Sequence, residues 1–433
     1  MGPGHAAPAA AQGKTRGPAR RCRRGREQPV NIIKNAFFLL TAACCAAAPA
    51  AAAGPVLTGL DVLERDGFKQ LEGKRVGLIT NHTSLNAAGL NAVDVFHRAG
   101  SFRLAAIFSP EHGFRGTEEG GVYIASSTDP VTGVPVYSLY GKGKQRPTPD
   151  MLQDLDILVF DIQDIGARFY TYLTTMGYAM EEAAKAGLPF MVLDRPNPIG
   201  GLVEGPVLDP EISAFTAYFP VPTRHGFTAG EMAIFHKDNL KLELDLAVVK
   251  MEGWRRNMFF DKAGVGWTNP SPNIRDLEAE VLYPGLGCFE ASNVSVGRGT
   301  DIPFHWFGAP WMKAEKIAKK LNKAKLGGVK FSPLTLAPDK DMYQGKDCAG
   351  ILVNVTDKSA VRALDVFVHA AYWLKEYNEE DFKLKEVEIR KMTGSSDLYA
   401  MLQKGAKPAK IIAAFEKNNA PFREAALKFR LYK

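Results

Sequence analysis

Leu104 to Gly121 reads LAAIFSPEHGFRGTEEGG: an apolar run the length of a buried strand, stopped by Ser109-Pro110 and followed by a glycine-rich polar loop. Glu111 and His112 stand just past the carboxyl end of that strand. In an open parallel α/β sheet this edge is where ligands bind, because the connections on either side diverge and leave a crevice. A carboxyl and an imidazole between Pro110 and Gly113 make a candidate acid/base pair, and Arg115 can hold an anion beside it. A turn with surface charges is the plain alternative for any single Glu-His pair. Repetition of the arrangement along the chain argues against it.

Upstream, Arg75 to Thr80 (RVGLIT) reads as a strand ending in Asn81, His82, Thr83 and Ser84, and the pattern from Asn91 to Ala99 is helical. Strand, polar loop, helix, strand is βαβ alternation. A third strand, Asp156 to Phe160 (DILVF), runs into DIQDIGARFYTY, which places Asp161, Asp164, Arg168 and Tyr170 beyond it; the following helix runs to Ala186, with Gly187 as its C-cap. A fourth, Pro189 to Leu193 (PFMVL), ends in DRPNPIGG, with Asp194, Arg195 and Asn197. Four strands finishing in polar clusters on one edge predict one shared site. The expected fold class is α/β, a Rossmann-like, mostly parallel sheet domain over residues 54–305 with a second, smaller α/β domain over residues 306–433. Neither G-x-G-x-x-G nor G-x-x-x-x-G-K-[ST] follows any strand, so the backbone cradle of a dinucleotide or triphosphate is missing and no cofactor is expected. No Cys/His spacing resembles a zinc site, and no metal is expected either.

Beyond Gly201 the chain turns Pro-rich. VEGPVLDP carries Glu204, and RHGFTAGE carries His225 ahead of Thr228 and Glu231, whose spacing is that of a capping box. Trp267 to Met312 is dense in Asn, Pro, Gly and aromatics and holds Asn273, Glu290, Asn293 and Arg298. It reads as a long functional loop whose amides and carboxylates suit sugar hydroxyls and whose rings suit an apolar sugar face. Trp254, Trp267, Trp306 and Trp311 fall in one region; either they line a pocket or they pack the two domains together, while Trp373 reads as core.

The chain has 433 residues, 46% apolar and 23% charged, the balance of an ordinary globular protein. Its net charge of +7 lies wholly in residues 1–53, where eight basic residues oppose Glu27 alone. The remainder is neutral and gives no electrostatic case for nucleic acid. That basic start followed by AFFLLTAACCAAAPAAAAG, Ala36 to Gly54, has the order of a signal peptide with cleavage near Ala53. The expected protein is exported, periplasmic or secreted, with no stable membrane insertion after cleavage. Residues 1–29 are long for a signal's basic region, which suggests translation starting near Val30. Cys288 and Cys348, the cysteines beyond the leader, read as isolated buried thiols.

Taken together, VGLITNHTS, FSPEHGFRG, VFDIQDIGARFYTY, LDRPNPIGG, VEGP, RHG, NPSPN and FEASNVSVGRGT resemble a bacterial family of exo-acting β-N-acetylmuramidases, once a domain of unknown function, from about Leu60 to the C-terminus. The resemblance implies a Rossmann-like domain joined to a smaller α/β domain with a cleft between them. It implies removal of the terminal, non-reducing β-1,4-linked N-acetylmuramic acid from peptidoglycan fragments without metal or nucleotide, and Glu111 as the catalytic carboxyl. The second carboxyl stays open among Asp161, Asp194, Glu204, Glu290 and the substrate's own acetamido group. Arg115, Arg168, Arg195 and Arg298 are the candidates for the lactyl carboxylate. Rival classes are a periplasmic, non-catalytic cell-wall sugar-binding protein and an esterase or amidase using His112 or His225, although no G-x-S-x-G is present.

Overall fold

A computed structural model describes residues 54–111, 114, 126–141 and 143–433. The leader, His112 and Arg115 lie outside the described residues. In chain order the strands are β1 (Arg75–Thr80), β2 (Arg103–Ser109), β3 (Ser127–Thr128), β4 (Pro135–Ser138), β5 (Ile157–Asp161), β6 (Phe190–Leu193), β7 (Glu204–Val207), β8 (Pro222–Arg224), β9 (Leu246–Val249), β10 (Trp306–Ala309), β11 (Val329–Leu336) and β12 (Cys348–Val355). Seven of them form one sheet in the order β3-β4-β2-β1-β5-β6-β9. All its neighbours are parallel except the β3–β4 pair. The order reverses between β1 and β5, which is the switch point of a Rossmann-like sheet.

Alternate side chains of these strands feed two cores. Ile79, Leu158, Phe160, Phe190 and Val192 pack with the helix Tyr172–Ala186. Val76, Leu78, Val159, Met191 and Leu193 pack with the helices Gly59–Arg65 and Ala92–Arg98. Both faces are thus covered, which is why the strands read as unbroken apolar runs. The helix boundaries follow their caps: Asn91 accepts from Val93 N–H, Gly187 adopts φ 63°, and Thr228 with Glu231 closes the capping box.

A smaller antiparallel sheet, β10-β12-β11, packs against the helix Ala314–Ala324, which in turn packs against the helix Ala363–Tyr377. The stretch expected as one long loop from Trp267 instead contains the helix Leu277–Leu286 and a 3₁₀ turn, Gly287–Ala291. Pro284, Gly285 and Gly287 hid that helix from pattern reading. Gly285 is required there: a Cβ would stand 1.9 Å from the carbonyl oxygen of Ala363, so the glycine lets two helices touch. Gly201 to Gly226 likewise contains the β7–β8 pair rather than loop alone. Three α-helices follow towards the end of the chain: Glu386–Thr393, Leu398–Gln403 and Pro408–Ala425. Cys288 and Cys348 are free buried thiols.

Within the helix Leu277–Leu286, Glu280 is buried, and its Oε2 meets no partner among the described residues. Burial first, then the charges of Asp164 and Asp276, hold its carboxyl well above the ordinary 4.5. A raised carboxyl contributes stability that is present below its unfolded value and lost as pH climbs toward the folded one, at about 1.4 kcal/mol per pH unit. Glu280→Gln keeps the shape and removes the titration. Its thermal midpoint is expected to match the parent near pH 4 and exceed it at pH 7; equal midpoints at both pH values would refute a protonated Glu280.

Candidate active site

Past the end of β2, Glu111 enters a cavity of about 580 Å³. The hydroxyl of Thr171, at the start of the helix Tyr172–Ala186, donates to Glu111 Oε2 at 2.6 Å. The segment after β5 adds Phe169 and Tyr170, and NPSPN adds Ser271 and Asn273. That last loop is pinned by successive carbonyls: His82 Nε2 lies 2.7 Å from Asn269 O, while the hydroxyls of Tyr170 and Tyr172 donate to Pro270 O at 2.9 and 2.6 Å. Since Asn269 O can only accept, the hydrogen sits on His82 Nε2.

From the far side come Tyr283, Glu290, Arg298 and Phe304. Arg298 Nη2 lies 2.7 Å from Glu290 Oε1, and its Nε donates to the same oxygen at 2.8 Å. Its guanidinium stands 5.4 Å over the Phe304 ring. Tyr140, Phe169, Phe215, Tyr283 and Phe304 supply aromatic surface around the carboxyls. The cavity can therefore present the carboxyls of Glu111, Glu290 and Asp341, the Arg298 guanidinium, the Lys340 ammonium and apolar faces to a single sugar ring.

Of the described residues expected in the site, Glu111, Tyr170, Asn273, Glu290 and Arg298 line this cavity together, and the others are placed as follows. Asp161 and Arg195 form a buried ion pair across the ends of β5 and β6, with Arg195 Nη2 donating to Asp161 Oδ2 at 2.9 Å and Nη1 to Leu85 O at 3.0 Å. Each is thus satisfied by the other, and neither lines the cavity that holds Glu111. Asp194 accepts from Thr228 Oγ1, Gly230 N–H and the Tyr432 hydroxyl, and burial pushes its carboxyl up to about 6. Glu204 accepts from Leu364 N–H and sits 3.7 Å from the wholly buried Arg224; burial pushes it up to about 7. These three carboxyls are tertiary fastenings, and of the four candidates Glu290 is the one that lines the cavity with Glu111, where Asp341 joins them.

Arg168 is also a fastening. It donates to the carbonyls of Thr216, Lys391 and Met392, and so holds two residues of the cavity wall. Asn81 accepts from Thr83 within its own turn. Asn197 donates to Phe227 O, and Asn293 ties Asp381 O to Lys383 N–H. His225 accepts from Phe227 N–H at Nδ1, with Nε2 3.6 Å from Asp164, deep in the fold. The tryptophans do not line the cavity. Trp306 is fully buried and donates to Leu334 O, Trp254 packs on Tyr432, Trp311 donates to Tyr343, and Trp267 packs on Phe260. Sequence reading missed Tyr140, Phe215, Phe304, Lys340 and Asp341 as lining residues.

Comparison with known proteins gives the family. The profile for the exo-β-N-acetylmuramidase NamZ N-terminal region matches residues 76–278, and that for its C-terminal region matches residues 281–432. The peptidoglycan β-N-acetylmuramidase NamZ of Bacillus subtilis is 42% identical over 379 residues, 87% of this chain and 91% of that one. Two crystal structures of DUF1343 family proteins from Bacteroides fragilis superpose with TM-scores of 0.82 and 0.72 at 36% and 28% identity, covering 88% and 87% of this chain and 99% of each of theirs. Since the two profiles together span nearly all of the described residues, the chain belongs to the exo-β-N-acetylmuramidase NamZ family.

Proposed function

We propose that the chain releases terminal, non-reducing β-1,4-linked N-acetylmuramic acid from peptidoglycan fragments, with Glu111 as the general acid. The observation that carries this is the placement of Glu111 in an aromatic-walled cavity beside a second carboxyl, Glu290. Glu111 protonates the glycosidic oxygen as the bond to the anomeric carbon breaks. Glu290, paired with Arg298, faces the developing positive charge, either as the nucleophile or by orienting the substrate's acetamido group. The charged-then-apolar order of residues 1–53 supports an exported enzyme that works on cell-wall glycan outside the cytoplasm.

Arg298 is the candidate guanidinium that stands in this cavity among the described residues, which makes it our choice for the lactyl carboxylate. Arg298→Met is expected to raise KM for a muraminide by roughly tenfold or more and to narrow its preference over the corresponding glucosaminide, measured as the ratio of kcat/KM values. An unchanged ratio would assign the carboxylate to other donors.

The test of the whole reading is a time course on a tetrasaccharide of alternating N-acetylmuramic acid and N-acetylglucosamine with the muramic acid at the non-reducing end. Free N-acetylmuramic acid should appear first. Early internal fragments would overturn exo action, and binding without any release would return the chain to the sugar-binding class.

A further inference from the structure

A second cavity, of about 600 Å³, adjoins the first and is lined by Arg275, Thr300, Asp301, Leu336, Asp339 and Lys340 among others. Lys340 lines both cavities, and Gly299 of the second directly follows Arg298 of the first. Two other large cavities, around Gly200 and Arg256 and around Asp261 and Lys358, share no lining residue with the Glu111 cavity. We propose that the cavity beyond Lys340 is the subsite for the leaving-group sugar, an N-acetylglucosamine unit; this rests on the muramidase reading of the first cavity.

Geometry comes first. A proton delivered by Glu111 goes to the oxygen joining two sugars, so the second sugar must leave the first cavity past one of its walls. The wall of Thr216 and Met392 is held in place by the buried Arg168, which clamps their carbonyls. At Lys340, which lines both cavities, the concave surface continues.

The divider between the cavities is built rather than slack. Asp339 N–H donates to Gly299 O at 2.7 Å, and a Cβ on Gly299 would stand 2.5 Å from Lys340 O. Asp341 and Tyr343 hold left-handed backbone at φ 66° and 65° without being glycine. Such conformations persist where surrounding contacts over-determine them, and they gather at ligand clamps. Here the Tyr343 hydroxyl donates to Asn293 O at 2.7 Å and accepts from Trp311 Nε1 at 3.2 Å.

Chemistry decides the occupant. Thr300, Asp301 and Asp339 offer hydroxyl and carboxylate groups, and Leu336 and Ala337 offer an apolar patch. Arg275 is committed to the carbonyls of Pro272, Thr300 and Asp301. Arg275 and Lys340 are balanced by Asp301 and Asp339, and a lining without net charge suits a neutral sugar bearing hydroxyls and an acetamido N–H better than an acidic stem peptide.

Ala337→Trp fills this cavity from a position that does not line the first one. For the disaccharide of N-acetylmuramic acid linked to N-acetylglucosamine, kcat/KM should fall at least about tenfold, mostly through KM, whereas for an aryl β-N-acetylmuraminide it should fall less than about twofold. Asp339→Asn adds no volume and should show the same selectivity in smaller measure. Equal losses on both substrates, unchanged disaccharide kinetics, or a loss confined to substrates carrying a stem peptide would overturn the assignment. A parent enzyme that released nothing from either substrate would overturn the muramidase reading itself.

Discussion

Glu111→Gln should lower kcat for release of N-acetylmuramic acid by about 10²-fold or more, the usual contribution of a positioned general acid. The amide is nearly isosteric and its oxygen can still accept from Thr171, whose hydroxyl now donates to Glu111 at 2.6 Å. Only the transferable proton is lost. KM and the thermal midpoint should therefore stay close to the parent's, and the loss should shrink on an aryl substrate whose leaving group departs without protonation. Turnover within a few-fold of the parent on the natural disaccharide would remove Glu111 from the acid's role.

Asp161→Ala tests the opposite assignment. Asp161 and Arg195 are buried together, and deleting one partner strands the other's charge in a medium that cannot solvate it. The expected cost is about 3–5 kcal/mol of folding stability, read from the urea midpoint. Loss of this pair also removes one tie on the loop after β1, the bond from Arg195 to Leu85 O. The fraction that remains folded should turn over substrate at a rate near the parent's. A variant with parental stability but no activity would mean that the switch-point crevice is part of the active site after all.

These two carboxylates look alike along the chain. Glu111 follows β2 and Asp161 ends β5; each lies in a polar cluster at the carboxyl edge of a parallel strand. One opens into a cavity and the other is consumed by an arginine 34 residues further on. Nothing local separates the cases, because a polar group at a strand end is equally well satisfied by a ligand or by a neighbouring strand's side chain.

The sequence by itself determined the parallel sheet, its four central strands to within a residue or two, and the motif that carries Glu111. Strands covered on both faces must be apolar throughout, and helices must be capped, so both leave local marks at Thr80, Leu193, Gly187 and Thr228. The half-exposed β9 and the β7–β8 pair, with Gly205 and Pro206 inside it, leave none. What only the tertiary structure decided is membership of the site. Tyr140, Phe215, Phe304 and Lys340 come from segments far apart in the chain, each unremarkable where it stands, and they become one cavity because packing brings four separate loops to the end of β2. Lining a cavity depends on distances set by packing, and no short-range pattern of residues encodes those.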